Sequence, residues 1–345
     1  MHPPLAPDHV DAPHREAALG ALLLESGEAI LDYRQSFVSH GALNAERDNA
    51  ILFCPALTAT HHRLDFLLGP GRAVDPSRWF VIVADPIGNG LSTSPSNSIA
   101  QPGLRFPRFG LRDMVEAQRR LLVEHLGIER LHAVVGASMG GMQALQWAVS
   151  HPGVMARIVA MTAMAKTSAW AVLVTEAARA CLTADPAWHK EFGFTARPER
   201  GWRAYAGLMN ALLMRTPDAV GALRLADAGA IHRWFDGVVA GLQATGFDAH
   251  DYLYQSWAYE AHDVGTTIGH GGDTGAALAA IRARSLLLAP PLDLFNPASA
   301  ARDAAAAIPA ACFVEIPSRQ GHLAATSTDA GDARFLNETI GAFLA

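Results

Sequence analysis

The sequence predicts an α/β chain, a mostly parallel, doubly wound sheet with an inserted helical segment. Three observations carry this reading. Short apolar runs alternate with helical periodicity through the first half of the 345 residues. One such run, His132-Ala133-Val134-Val135, leads straight into Gly136-Ala137-Ser138-Met139-Gly140 and then into an Ala-rich helical pattern. Strand-like runs then cease between about 166 and 280 and resume at Arg284. Parallel strands covered on both faces read as unbroken apolar runs, so their alternation with amphipathic stretches signals βαβ units.

Taken in order, residues 1–14 are rich in Pro and His and predict a loose arm. Residues 20–40 alternate polar and apolar around Gly27 and predict a β-hairpin. Asn49-Ala50-Ile51-Leu52-Phe53-Cys54 and Trp79-Phe80-Val81-Ile82-Val83-Ala84 predict buried strands. Residues 112–127 place Met114, Ala117, Leu121, Leu122 and Leu126 on one helical face and Arg112, Glu116, Arg119 and Arg120 on the other. Arg157–Thr162 predicts the next strand. Residues 166–280 predict a helical lid containing Trp170, Trp188, Trp202, Trp234 and Trp257. A strand over 284–289, a helix over 297–308, a strand over 312–316 and a helix from about 332 close the chain. The expected organisation is a core of 1–165 and 281–345 with a lid of 166–280 between its parts.

Apolar residues make up 50% and charged residues 17%, enough for a large core and too apolar for disorder. The net charge is −6 with no Lys/Arg run, which argues against nucleic acid or an acidic membrane surface as partner. No apolar run approaches the roughly 18 residues that span a bilayer. Cys54, Cys181 and Cys312 are odd in number and widely spaced, so free thiols in a reducing compartment are expected. The N-terminus has neither the basic start nor the apolar centre of a signal peptide, and the expected location is the cytoplasm.

Strand, then Gly-x-Ser-x-Gly, then helix is the context in which this motif reads as a nucleophile elbow of the α/β-hydrolase fold. The small neighbours let strand and helix pass, and Ser138 stands at the positive end of a helix, where developing negative charge is stabilised. An elbow serine needs a base and a carboxylate to orient it, in the chain order Ser, Asp/Glu, His on loops after late strands. Asp293 follows the strand ending at Ala289, and His322 follows the next one. Taken singly, each reads as an ordinary loop residue; together with the elbow they form a Ser138–Asp293–His322 triad. The expected oxyanion hole combines the amides of Met139 and Leu57, the latter in the loop Pro55-Ala56-Leu57-Thr58. His61-His62 and the loop His270–Asp273 match no metal-site spacing and read as solvated loop. Gly88-Asn89-Gly90 lacks the rest of a dinucleotide fingerprint. No metal or cofactor is expected.

Several stretches resemble the homoserine O-acetyltransferase family of α/β-hydrolases over most of the chain. They are Leu43–Leu52, Pro55–Thr58, Leu68-Gly69-Pro70-Gly71-Arg72-Ala73-Val74-Asp75, Gly90–Ser96, the elbow Ser138–Gln143 and Leu182–Trp188. The resemblance implies a helical lid, acyl-serine chemistry and a homodimer made through the lid. It also implies an arginine that holds the acceptor's carboxylate, for which Arg179 is the matching position. One departure stands out. The transferases carry Gly-His-Asp, whose aspartate serves the acceptor's amino group, whereas this chain reads Gly321-His322-Leu323-Ala324. Leu323 cannot balance an ammonium. In this respect the chain looks more like a side branch of small acetyl-ester hydrolases.

The expected activity is therefore serine-dependent hydrolysis of a short-acyl ester, a small-molecule substrate, through an acyl-enzyme. The alternatives are an O-acyltransferase moving an acyl group from acyl-CoA to an alcohol, and a non-catalytic ligand-binding protein of the same fold.

Overall fold

The computed structural model describes residues 5, 6 and 8–345. Strands β1 (Arg15–Leu23) and β2 (Ala29–His40) pair antiparallel as the expected hairpin. The remaining strands of the sheet are β3 (Ala50–Cys54), β4 (Phe80–Ala84), β5 (Leu131–Ala137), β6 (Met155–Met161), β7 (Arg284–Ala289) and β8 (Ala311–Glu315). Among the described residues they form one sheet in the order β1-β2-β4-β3-β5-β6-β7-β8, parallel from β4 onward.

Strand pleating divides the core. Leu52, Ile82, Val134, Ile158 and Leu287 point to one face, and Ile51, Val81, Val135, Val159 and Leu286 to the other. The first face packs on helices α1 (Leu111–Arg120) and α2 (Met139–Ser150), through residues such as Met114, Leu145 and Trp147. The second packs on the C-terminal helix, through Leu336, Ile340 and Leu344.

Between β6 and β7 the chain leaves the sheet. It forms helices α3 (Ala169–Thr183), α4 (Glu199–Tyr205), α5 (Pro217–Gly221), α6 (Ala228–Ala244), α7 (Ala249–Glu260) and α8 (Thr274–Ala279). Helices α9 (Ala298–Ala307) and α10 (Ala330–Leu344) then complete the core. The inserted segment departs and returns through a short neck. The Thr167 amide donates to the His262 carbonyl at 2.9 Å, the Val264 amide to Ala165 at 3.0 Å, and Lys166 pairs with Asp263 at 2.9 Å. No helix among the described residues is long and apolar enough to cross a membrane.

Three features differ from expectation. The insert is not wholly helical, because Trp188–His189 and Gly193–Phe194 form a small hairpin, each strand too short to leave a periodicity. The N-terminal arm is anchored from His9 onward: His9 stacks on His62, the Val10 amide donates to Asp65 at 2.7 Å, and His14 lies 2.6 Å from Ser36 Oγ. His61 and His62 are buried beneath that arm, where the sequence had suggested a solvated loop. Carboxylates receive both imidazoles: Asp85, 24 residues away in sequence, lies against His61, and Asp65, three residues on, receives His62 and also takes the arm's amide.

Candidate active site

Ser138 occupies the sharp turn between β5 and α2, with φ 55° and ψ −124°. Its amide donates to the Met161 carbonyl at the end of β6 (2.8 Å), and its carbonyl accepts from Met142 at 3.0 Å. The flanking glycines are required by close approach. A Cβ on Gly140 would lie 1.9 Å from the Cys54 carbonyl oxygen, and one on Gly136 would lie 2.1 Å from the Gly140 backbone. Their absence lets α2 start against the end of β3 while Ser138 is held in a conformation costly for a residue with a side chain.

The partners come from the two late loops. Asp293, between β7 and α9, is clamped by two amides, those of Phe295 at 2.9 Å and Asn296 at 2.8 Å, both donating to Oδ1. That leaves Oδ2 to accept from His322 Nδ1 at 2.8 Å. A carboxylate can only accept here, so the imidazole proton sits on Nδ1 and Nε2 is the acceptor for Ser138 Oγ, 2.9 Å away. Ser138, Asp293 and His322 are all buried. The geometry therefore joins the three residues that the sequence singled out, and aligns them to pass a proton away from Ser138.

The Met139 and Leu57 amides lie on the two segments expected to flank a reacting carbonyl. Neither donates to a protein acceptor among the described residues. The Leu57 loop is pinned on both sides. Gln255 of α7 accepts from the Thr58 amide at 3.0 Å, and Gln143 of α2 donates to the Pro55 carbonyl at 3.2 Å. Gln143 is in turn held by Gln118, which also receives the Trp147 indole.

The inserted helices reach all three functional loops. Trp170 of α3 donates to the Leu294 carbonyl beside Asp293 (2.7 Å), and Tyr259 of α7 bonds Asn296. Phe295 meets the His322 ring edge-on at 5.2 Å and stacks on Tyr259. Thr216 bonds the Arg319 carbonyl, and the Leu323 amide donates to Met214 at 3.3 Å. Gln255, Tyr259, Phe295 and Asn296 had escaped sequence reasoning, since nothing local marks a glutamine or tyrosine in a helix as reaching a loop far away in sequence. Of the insert's tryptophans, Trp202 packs on Tyr205 and Tyr252, Trp188 on Phe194, and Trp257 on Tyr254 beneath Arg108. Trp202, Tyr205 and Tyr252 join the same apolar cluster as Leu145 and Trp147 of α2. A cavity of about 850 Å³ opens beside the Pro55–Thr58 loop, between Thr58, Thr60 and Asn89 on the core side and Phe247 and Asp248 on the insert.

Arg179 does not face an open site. It is buried, paired with Glu176 at 2.5 Å and with Glu260, and within 3.3 Å of Ser256 Oγ. Two carboxylates of this chain already meet its charge, so the role implied for it by resemblance, holding an acceptor's carboxylate, does not fit the geometry. Glu260 comes from another helix, α7, and this pairing left no trace in the sequence around Arg179.

A sheet of this order with Ser138 at the β5–α2 turn and its partners after β7 and β8 defines an α/β-hydrolase. The profile described as alpha/beta hydrolase fold matches residues 49–322, and the chain belongs to that family. Among its relatives, the ethyl acetate hydrolase of Pseudomonas veronii is 33% identical over 319 residues, covering 90% of each chain. The homoserine O-acetyltransferase of Mesorhizobium japonicum is 33% identical over 336 residues, covering 87% of this chain and 85% of that one. Among solved structures, the acetyl esterase MekB superposes with a TM-score of 0.88 at 31% identity, covering 96% of each chain.

Proposed function

We propose that this protein is a serine esterase that hydrolyses short-acyl, acetyl-type carboxylic esters through an acyl-enzyme. Ser138 Oγ attacks the ester carbonyl while His322 Nε2 takes its proton, and Asp293 holds the imidazole and stabilises its charged form. The Met139 and Leu57 amides receive the oxyanion, each such donor contributing about 3–4 kcal/mol to transition-state stabilisation. His322 returns the proton to the departing alcohol, then activates water to release the acid.

The observation that favours water over an amino-acid acceptor is the state of Arg179 and Leu323. A transferase must hold its acceptor tightly enough to exclude water, which takes specific contacts to the acceptor's polar groups. Here the arginine is satisfied by Glu176 and Glu260. The residue after the histidine is a leucine, so an ammonium carboxylate acceptor would be desolvated without partners. The relatives named ethyl acetate hydrolase and acetyl esterase support the same reading. We further infer a core of 1–165 and 281–345, a cap of 166–280, a cytoplasmic location and a homodimer made through the cap.

The test offers the enzyme ethyl acetate alone, then acetyl-CoA with homoserine, and follows products by mass spectrometry. Acetate should form from the ester at a rate that homoserine leaves unchanged. O-acetylhomoserine as the main product would overturn the reading in favour of acyl transfer. Absence of turnover and of fluorophosphonate labelling at Ser138 would instead indicate a non-catalytic binding protein.

A further inference from the structure

Apart from the Ser138 relay, three donor atoms from separate stretches of chain converge under the N-terminal arm. His14 belongs to the arm, His61 opens the 3-10 turn after β3, and Asp85 directly follows β4. His61 Nδ1 lies 2.9 Å and His14 Nε2 4.0 Å from Asp85 Oδ2, and the three atoms all lie within 4.8 Å of one another. A point equidistant from atoms so spaced is about 2.4 Å or less from each, close to the roughly 2.0–2.2 Å of zinc–imidazole and zinc–carboxylate bonds.

The surroundings aim these atoms at one another. Asp85 Oδ1 is occupied by the His61 amide at 2.9 Å and the Asn89 amide group at 3.0 Å, which turns Oδ2 toward the imidazoles. Ser36 Oγ, 2.7 Å from Oδ2 and 2.6 Å from His14 Nε2, places a further oxygen in the cluster. Asp85 and His61 are almost fully buried, and His14 covers them from the arm with its ring 5.5 Å from that of His61. Two imidazoles and one carboxylate are the donor set that borderline divalent ions favour. A buried carboxylate is also a place where a cation offsets a large desolvation cost.

We propose that His14, His61 and Asp85 bind one first-row divalent cation of the zinc class, with Ser36 Oγ or water completing its shell. Each imidazole ligates in neutral form, the ring proton moving to the other nitrogen, and the carboxylate ligates as an anion. The bound ion fastens the arm to the sheet. Because Asp8 and His9 of that arm line the cavity beside the Pro55–Thr58 loop, occupancy also fixes one wall of that cavity.

The test titrates chelator-treated full-length protein with Zn²⁺ by calorimetry, and with Co²⁺ by visible d–d absorption. Expected are one saturable ion per chain and a melting temperature that climbs with Zn²⁺ concentration. His14→Ala, in the peripheral arm, should keep the circular dichroism spectrum yet weaken binding by at least about tenfold, since loss of a ligand exceeds the effect of losing a ligand's hydrogen-bond partner. His270→Ala, on the surface loop before α8, should bind like the parent. Absence of saturable binding overturns the proposal, and so does equal affinity in the His14→Ala protein.

Discussion

At the residue scale, the proposed Ser138–His322–Asp293 relay should act as a unit. Ser138→Ala and His322→Ala should each lower ester turnover by several orders of magnitude, with little further loss when combined. Asp293→Asn should cost about 10⁴-fold, because an amide would favour the wrong imidazole tautomer. Steady-state kinetics with an acetyl ester measure all three, and an Asp293→Asn enzyme of near-parental kcat would rule out this carboxylate as the orienting group. These residues were legible in the sequence because each sits just after a strand with an unmistakable apolar run: Val134-Val135, Leu286-Leu287-Leu288 and Phe313-Val314. Asp293's grip on two amides and the Arg179–Glu260 pair were not legible, since local sequence does not tell which lone pairs a turn will satisfy.

Among the elements, α6 is the one whose pattern the fold leaves open. Of its 17 residues only Val239 is buried; Ile231 is 49% exposed, and Trp234, Phe235 and Val238 are only partly covered. Large apolar patches left exposed on a protein commonly mark contact sites. The homodimer proposed above, made through the cap, would supply one. Ile231→Glu combined with Val238→Glu should therefore shift the mass in light scattering from two chains toward one, while ester turnover changes little. A parent protein that is monomeric at all concentrations would dismiss the dimer. The sheet elements were readable because burial on both faces leaves a continuous apolar run. The cap's arrangement was not. Helix α7 reaches the Pro55–Thr58 loop through Gln255 and the Asp293 loop through Tyr259, contacts that periodicity does not encode.

For the molecule as a whole, the neck joining cap and core sets an acid limit. Burial pushes His262 down to about 4, and its Nε2 has no partner among the described residues. Below the ordinary imidazole value of about 6.5 the unfolded chain takes up a proton that the folded chain refuses, so stability falls as pH drops from there toward 4. The loss reaches about 3 kcal/mol at the lower end. Melting temperatures measured across that range should decline less steeply for His262→Gln than for the parent. Equal slopes would mean that other groups set the limit. The hydrophobic cluster on this side of the sheet runs unbroken from Leu145 and Trp147 into Trp202 and Tyr252 of the insert, so a single melting transition is expected.

The positive φ at Ser138 has a consequence for how such an enzyme drifts and how it can be engineered. Replacing a residue by Gly ordinarily destabilises relative to Ala, by roughly 0.5–1 kcal/mol. Here the order should invert, because Ser138→Ala keeps a Cβ in a conformation costing about 1–3 kcal/mol and Ser138→Gly releases it. Calorimetry of the two inactive proteins reads that difference directly, and an Ala variant melting above the Gly variant would show that no strain is stored. A search for heat tolerance alone would then be drawn toward erasing the nucleophile, and only selection for turnover keeps the serine in place.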